Sequence, residues 1–248
     1  MNAILTYHSI DDSGSPISIP AAAFEAHRQW LLRGDVKPTP LGDLVHQAHD
    51  GPHRTAITFD DAFVSSRAPI ERLLDSDVTP VLFVVTRHVG GNNAWGGRDQ
   101  PGIPRLPLMS WDDLGRLAER GARIEAHSRT HPHLTRISPG QLDEELGGCA
   151  EDLQTRLGVR STTFAYPYGD VNERVASRTA NWFASAVTTR MAPLDAASLP
   201  LLLPRLDMYY FRHAHSIESW GRTRFRARVQ WIALRRRLKA ALPEMARG

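Results

Sequence analysis

Residues 56–66 read AITFDDAFVSS: a strand-forming run, Ala56-Ile57-Thr58-Phe59, ends in two adjacent carboxylates, Asp60 and Asp61. Neighbouring carboxylates repel when both are ionised, so a strand end carrying them calls for a cation or a proton. An Asp pair can equally end a strand and cap the helix that follows, since Asp is favoured at N-caps. The rest of the chain has to decide between the two.

Around this stretch, short apolar runs alternate with longer helical patterns. Strands are expected at 3–7, 56–59, 80–85, 123–126, 162–166, 183–187 and 201–206. Helices are expected at 20–33, 40–48, 65–75, 110–120, 138–157 and 171–180. Ser110-Trp111-Asp112-Asp113 fits a Ser-x-x-acid helix start, and Gly121 and Gly158 fit helix ends. Strand and helix repeated six or seven times imply an α/β fold with a parallel sheet, open or closed into a barrel. Reactive residues in such folds gather at the C-terminal ends of strands. The Gly/Asn-rich segment 90–97 is expected as a lid or rim, because it lacks the spacing of a phosphate-binding loop.

The second unusual stretch, Glu125-Ala126-His127-Ser128-Arg129-Thr130-His131-Pro132-His133, also follows a predicted strand. Two histidines four apart can face one point if the chain turns once between them, which suits a divalent metal. Asp61 would add the oxygen ligand, giving two imidazoles and a carboxylate with open positions. Asp60 is then free to act as the base.

Thr58-Phe59-Asp60-Asp61, His127-Ser128-x-x-His131 and Phe164-Ala165-Tyr166-Pro167-Tyr168-Gly169 together resemble the first three motifs of the polysaccharide deacetylases, the NodB-homology or carbohydrate esterase family 4 enzymes. The resemblance spans roughly residues 1–210 and implies a distorted (β/α)7 barrel and metal-dependent removal of an N- or O-acetyl group from a sugar. It implies Asp60 as general base, Asp61, His127 and His131 as metal ligands, and the Tyr168 backbone N–H as donor to the developing oxyanion. His133 lies outside the pattern and is expected at the rim.

The sequence departs from that pattern twice. Ala165 stands where better-known members carry an arginine that orients the base; Arg205, in Leu203-Pro204-Arg205-Leu206-Asp207, is a replacement from another strand, with an Arg205–Asp207 surface pair as the competing expectation. No late Leu-x-His motif supplies the general acid. His8, closing Leu5-Thr6-Tyr7-His8, looks like the early acid histidine of the poly-N-acetylglucosamine branch and is preferred over His213 or His215 because it ends a strand.

The chain has 248 residues, enough for one large domain, and a single cysteine, Cys149, so no intrachain disulfide forms. The N-terminus has no basic region followed by an apolar run, and no stretch approaches a membrane span, so a soluble cytoplasmic protein is expected. Residues 222–248 carry nine Lys or Arg against one acid, Glu244, which leaves the first 221 residues at −5 although the whole chain is +3. The basic balance therefore belongs to the tail, and no nucleic-acid partner is expected.

In that tail, Trp231, Leu234, Leu238, Ala241, Leu242 and Met245 recur at helical spacing among Arg235, Arg236, Arg237 and Lys239. Phe225, Val229 and Ile232 form a stripe on another face, which argues against one straight, continuous amphipathic helix. The tail is expected either to pack on the barrel or to rest peripherally on anionic membrane at the inner face. The division read from the sequence is residues 1–214 as the deacetylase-like domain and 215–248 as a basic helical extension.

The function expected is a metal-dependent deacetylase, most simply with Zn2+, of an N-acetylated sugar or glycan precursor. The alternatives are hydrolysis of a non-sugar amide C–N bond and a glycan-binding protein without activity. Loop 86–109 is expected to set specificity.

Overall fold

The computed structural model describes residues 1–46, 53–213 and 216–241. In chain order its elements are β1 (Ala3–Tyr7), β2 (Ser9–Ile10), β3 (Ser18–Ile19), α1 (Ala21–Leu32), β4 (Lys37–Pro38), α2 (Leu41–His46), β5 (Arg54–Asp60), α3 (Arg67–Leu74), β6 (Pro80–Val84), α4 (Trp111–Glu119), β7 (Arg123–Ala126), α5 (Pro139–Leu157), β8 (Thr163–Ala165), α6 (Glu173–Thr179), β9 (Ser185–Met191), β10 (Leu203–Asp207) and α7 (Thr223–Ala241). Strands β5 to β10 pair in sequence order, all parallel, and β1 pairs with both β5 and β10, so seven strands close into a barrel. The short β4 pairs with the start of β5, and β2 pairs with β3.

Closure is uneven. β1 and β5 share five register positions, whereas β7 and β8 share one and the β9–β10 register shifts between Leu203 and Arg205. Strand parity sorts the core into two clusters. Ile4, Ala56, Val81, Phe83, Ala165, Val187 and Leu203 meet inside the barrel. Their neighbours Leu5, Ile57, Leu82, Phe164 and Leu206 face the helices. Thr58, Asp60 and Arg205 share the inward parity, which points them into the upper barrel.

Local chemistry sets the helix ends. Ser110 with Asp113, and Ser138 with Gln141, form complete capping boxes, and Gly158 closes α5 in the left-handed conformation. α7 is one continuous helix despite the two apolar stripes that argued against it, and it docks through Phe225, Val229 and Ile232, all buried. Trp231, Leu234 and Leu238 face outward. The remainder of the expected apolar stripe, Leu242 and Met245, lies outside the described residues.

Between α1 and the barrel, His27 is buried; its Nε2–H donates to the Phe211 carbonyl at 3.0 Å and its Nδ1 accepts from the Tyr7 hydroxyl at 3.1 Å. Burial holds this imidazole at about 4 against 6.5 when exposed. The unfolded chain therefore binds more protons between those values, and stability on the order of 3 kcal/mol, present above pH 6.5, is lost as the pH falls towards 4. Urea unfolding at pH 7 and pH 4.5 should show a larger loss for the wild type than for His27→Gln. Equal losses would remove His27 from the acid sensitivity of the fold.

Candidate active site

Asp60 ends β5, and Arg205 of β10 grips it from across the barrel. Nη1 donates to Oδ1 at 2.6 Å and Nη2 to Oδ2 at 2.7 Å, a bidentate fork. Arg205 is 1% exposed, and its Nε and Nη1 also donate to the Thr188 carbonyl and to the hydroxyls of Thr6 and Thr58. Burial alone would push the Asp60 carboxyl up. The charge and hydrogen bonds of Arg205, with His8 and His127 adding, outweigh it and hold the group well below the usual carboxylate range. Of the two pairings open to Arg205, the one with Asp207 does not form. Asp207 instead accepts from the Tyr209 N–H at 3.0 Å and lies 3.8 Å from Arg236 of α7.

Asp61 turns the other way. Its Oδ1 lies 3.5 Å from His127 Nε2 and 3.7 Å from His131 Nε2, and ligand atoms from the three side chains fall within 4.8 Å of one another. Two ligands sharing an ion at about 2.1 Å in tetrahedral geometry stand roughly 3.4 Å apart. Asp61 Oδ1 and His131 Nδ1 are buried without a hydrogen-bond partner. His127 Nδ1–H donates to the Ala165 carbonyl at 2.8 Å, which leaves its Nε2 lone pair facing Asp61. Burial pushes Asp61 up, against the pull of His127 and His8, and holds His131 well below 6.5. Two imidazoles beside an orphaned carboxylate oxygen fit a divalent cation.

The turns that deliver these groups are strained. Asp61 (φ 67°), Ala62 (59°), Ser128 (65°), His131 (62°) and Tyr168 (59°) are left-handed non-glycine residues. All but one of the non-glycine residues with positive φ among those described lie here, the other being Asp77. Glu145 of α5 braces the histidine loop, accepting from the N–H groups of Arg129 and Thr130 and from the Thr130 hydroxyl. Trp95, from the Gly/Asn-rich loop, stacks on His131 at 4.6 Å, so that loop is a wall of the site. The Tyr168 ring packs edge-on against His131 at 4.5 Å and stacks on His133 at 4.3 Å. The turn closes through the N–H groups of Gly169 and Asp170 onto Tyr166 and Pro167, not through that of Tyr168.

His8, at the end of β1, places Nε2 3.7 Å from Asp60 Oδ2. His213 instead lines a separate cavity beside α1, with His27 and Trp30, and His215 lies outside the described residues. Sequence reasoning missed Trp95, the Ala165 carbonyl and Glu145. Only an aromatic in a Gly-rich loop hinted at the first; no local signal marks the other two.

A cavity of about 120 Å3 joins His8, Asp60, Asp61, His127, His131 and Tyr168. Against known proteins, the polysaccharide deacetylase family model matches residues 47–184, more than half of the chain. The chain belongs to that family. YxkH of Bacillus subtilis, named as a polysaccharide deacetylase, is 25% identical over 175 residues, 68% of this chain and 57% of its own length. The peptidoglycan-N-acetylglucosamine deacetylase PgdA of Listeria monocytogenes is 30% identical over 125 residues, 50% of this chain and 23% of PgdA. The chain thus spans little over half of the first relative and under a quarter of the second. Among solved structures, the Streptococcus pyogenes deacetylase PplD, in complex with acetate, aligns with a TM-score of 0.69 at 18% identity over 83% of this chain and 91% of that one. IcaB from Ammonifex degensii aligns at 0.66 and 20% identity over 83% and 90%. These likenesses show the family's closed barrel fold.

Proposed function

We propose that this protein is a metal-dependent hydrolase that removes the acetyl group from an N-acetylated sugar or glycan precursor. The observation that carries the reading is the division of labour between adjacent carboxylates: Asp60 is tied to Arg205, and Asp61 faces two imidazoles. Asp61, His127 and His131 would hold the ion, with Zn2+ the simplest match to two nitrogens and one oxygen. Bound there, a divalent ion would supply Lewis-acid polarisation of the acetyl carbonyl and a water.

Asp60, kept ionised by Arg205, takes the proton of the attacking water. The backbone N–H of Tyr168 stabilises the oxyanion, where a fixed dipole favours the transition state over the ground state. His8, beside Asp60 and 23% exposed, protonates the leaving amine. Burial and the neighbouring Asp61 push the Tyr168 phenol up to about 12, so that side chain stays protonated and serves as wall, not base.

Acetate release from a panel of N-acetylated sugars tests the proposal. Chelated protein should release none, Zn2+ should restore it, and His131→Ala should bind Zn2+ at least tenfold more weakly by equilibrium dialysis. Full activity of the chelated protein would overturn metal dependence. No acetate from any sugar by the Zn2+-loaded protein would favour a different amide.

A further inference from the structure

Beside the small cavity lies a larger one of about 580 Å3, walled by β9, the Tyr168–Gly169 turn and α7. Thr189 lines both, and its hydroxyl donates to the Tyr168 carbonyl at 3.4 Å. A Cβ at Gly169 (φ 69°) would strike the Thr189 side chain, so only glycine allows the partition to be this thin. The charges lining the second cavity have one sign: Arg190, Arg236 and Arg237, with no carboxylate. Arg236 has Asp207 at 3.8 Å, but its Nη1 is buried without a hydrogen-bond partner. Arg190 and Arg237 make no ion pair among the described residues. With Asp207 the one carboxylate near any of the three, these guanidiniums carry an excess of positive charge, which a multivalent oxyanion offsets through paired hydrogen bonds.

We propose that this cavity seats a phosphate or diphosphate borne by the substrate, while its acetylated sugar reaches Asp60 across Thr189. The assignment rests on the deacetylase reading above and narrows its substrate class to an activated or carrier-linked sugar. A neutral polymer has no group for three arginines. Leu199 and Leu202 add an apolar wall, which suits the carrier beyond the phosphates.

A nucleotide and a lipid both supply a sugar diphosphate, and α7 separates them. Its outward face presents Trp231, Leu234 and Leu238, 56%, 54% and 59% exposed, with Arg235 over the Trp231 ring at 4.7 Å. Helical spacing sets Arg224 and Arg235 along one edge of this stripe and Arg226 and Arg237 along the other, and α7 contains no acid. Such a face suits an anionic bilayer.

Calorimetric titration of the full, metal-loaded chain tests the site. The ligands are UDP-N-acetylglucosamine, farnesyl-diphosphate-linked N-acetylglucosamine in phosphatidylglycerol vesicles, and neutral diacetylchitobiose, with ligand-free vesicles as background. At least one diphosphate ligand should bind tenfold or more tightly than the neutral one. Arg190→Ser/Arg237→Ser should abolish that advantage, and Arg156→Ser on α5 should leave it intact. An advantage for the farnesyl ligand alone assigns the lipid source; an advantage for UDP-N-acetylglucosamine alone assigns the nucleotide. Equal affinity for charged and neutral ligands, or an advantage surviving the double substitution, overturns the proposal. Acetate release from neutral sugars without charge preference would sink this site and keep the deacetylase, whereas arginine-dependent binding without acetate release would do the reverse.

Discussion

Asp60→Asn should lower kcat for acetate release by a factor of about 10² to 10⁴, the span general-base removal covers, while the protein still binds one equivalent of Zn2+. The change is nearly isosteric, and the ion-facing groups Asp61, His127 and His131 are untouched. It removes the one buried carboxylate placed between Arg205 and His8. Because Arg205 then loses its counter-charge, the unfolding midpoint must be measured alongside, with kcat compared under conditions where both proteins are folded. A kcat within tenfold of the wild type would show that another group accepts the water's proton. Loss of Zn2+ together with activity would move Asp60 into the ligand set.

The second large effect concerns Arg205. Arg205→Met deletes a buried bidentate partner and leaves the Asp60 charge in a low-dielectric barrel, so a stability loss of roughly 3–5 kcal/mol is expected. The sign of the pH effect follows from the same contact. Arg205 depresses the Asp60 pKa, so the ionised base persists to low pH; without it burial prevails and the group rises. The acid limb of the kcat profile should therefore move to higher pH in Arg205→Met. Arg205→Lys keeps a charge but loses the planar fork, and should fall between the two in both stability and limb position. Since the Met variant risks failing to fold, the Lys variant carries the decision. An unchanged acid limb and unchanged stability in Arg205→Lys would make Arg205 a spectator.

Several features were legible along the chain. Strand and helix alternation predicted the parallel α/β fold, because inward and outward burial on a closed parallel sheet leaves short apolar runs. Serine caps and αL glycines marked helix ends locally, so Ser110, Ser138 and Gly158 were readable from a few neighbouring residues. The Asp60-Asp61 pair and the His127–His131 spacing were readable for a related reason: one left-handed turn brings each set together.

Pairings between distant strands were not readable in that way. Arg205 reaches Asp60 across 145 residues, and strand parity, which Arg205 shares with Asp207 two positions on, does not choose between the two carboxylates. Arg205 points into the barrel, and Asp207 lies where α7 lays Arg236 against it. α7 shows the same limit in reverse. Its two apolar stripes are equivalent as sequence, and only docking decided that Phe225, Val229 and Ile232 face the core while Trp231, Leu234 and Leu238 face outward. The residues by themselves determined the alternating fold, the helix caps and the chemistry of each motif, since those depend on neighbours within a few positions. Barrel closure, the fork on Asp60 and the arginine-lined cavity were decided by tertiary structure, because each is made by groups that meet only when elements far apart in sequence pack together.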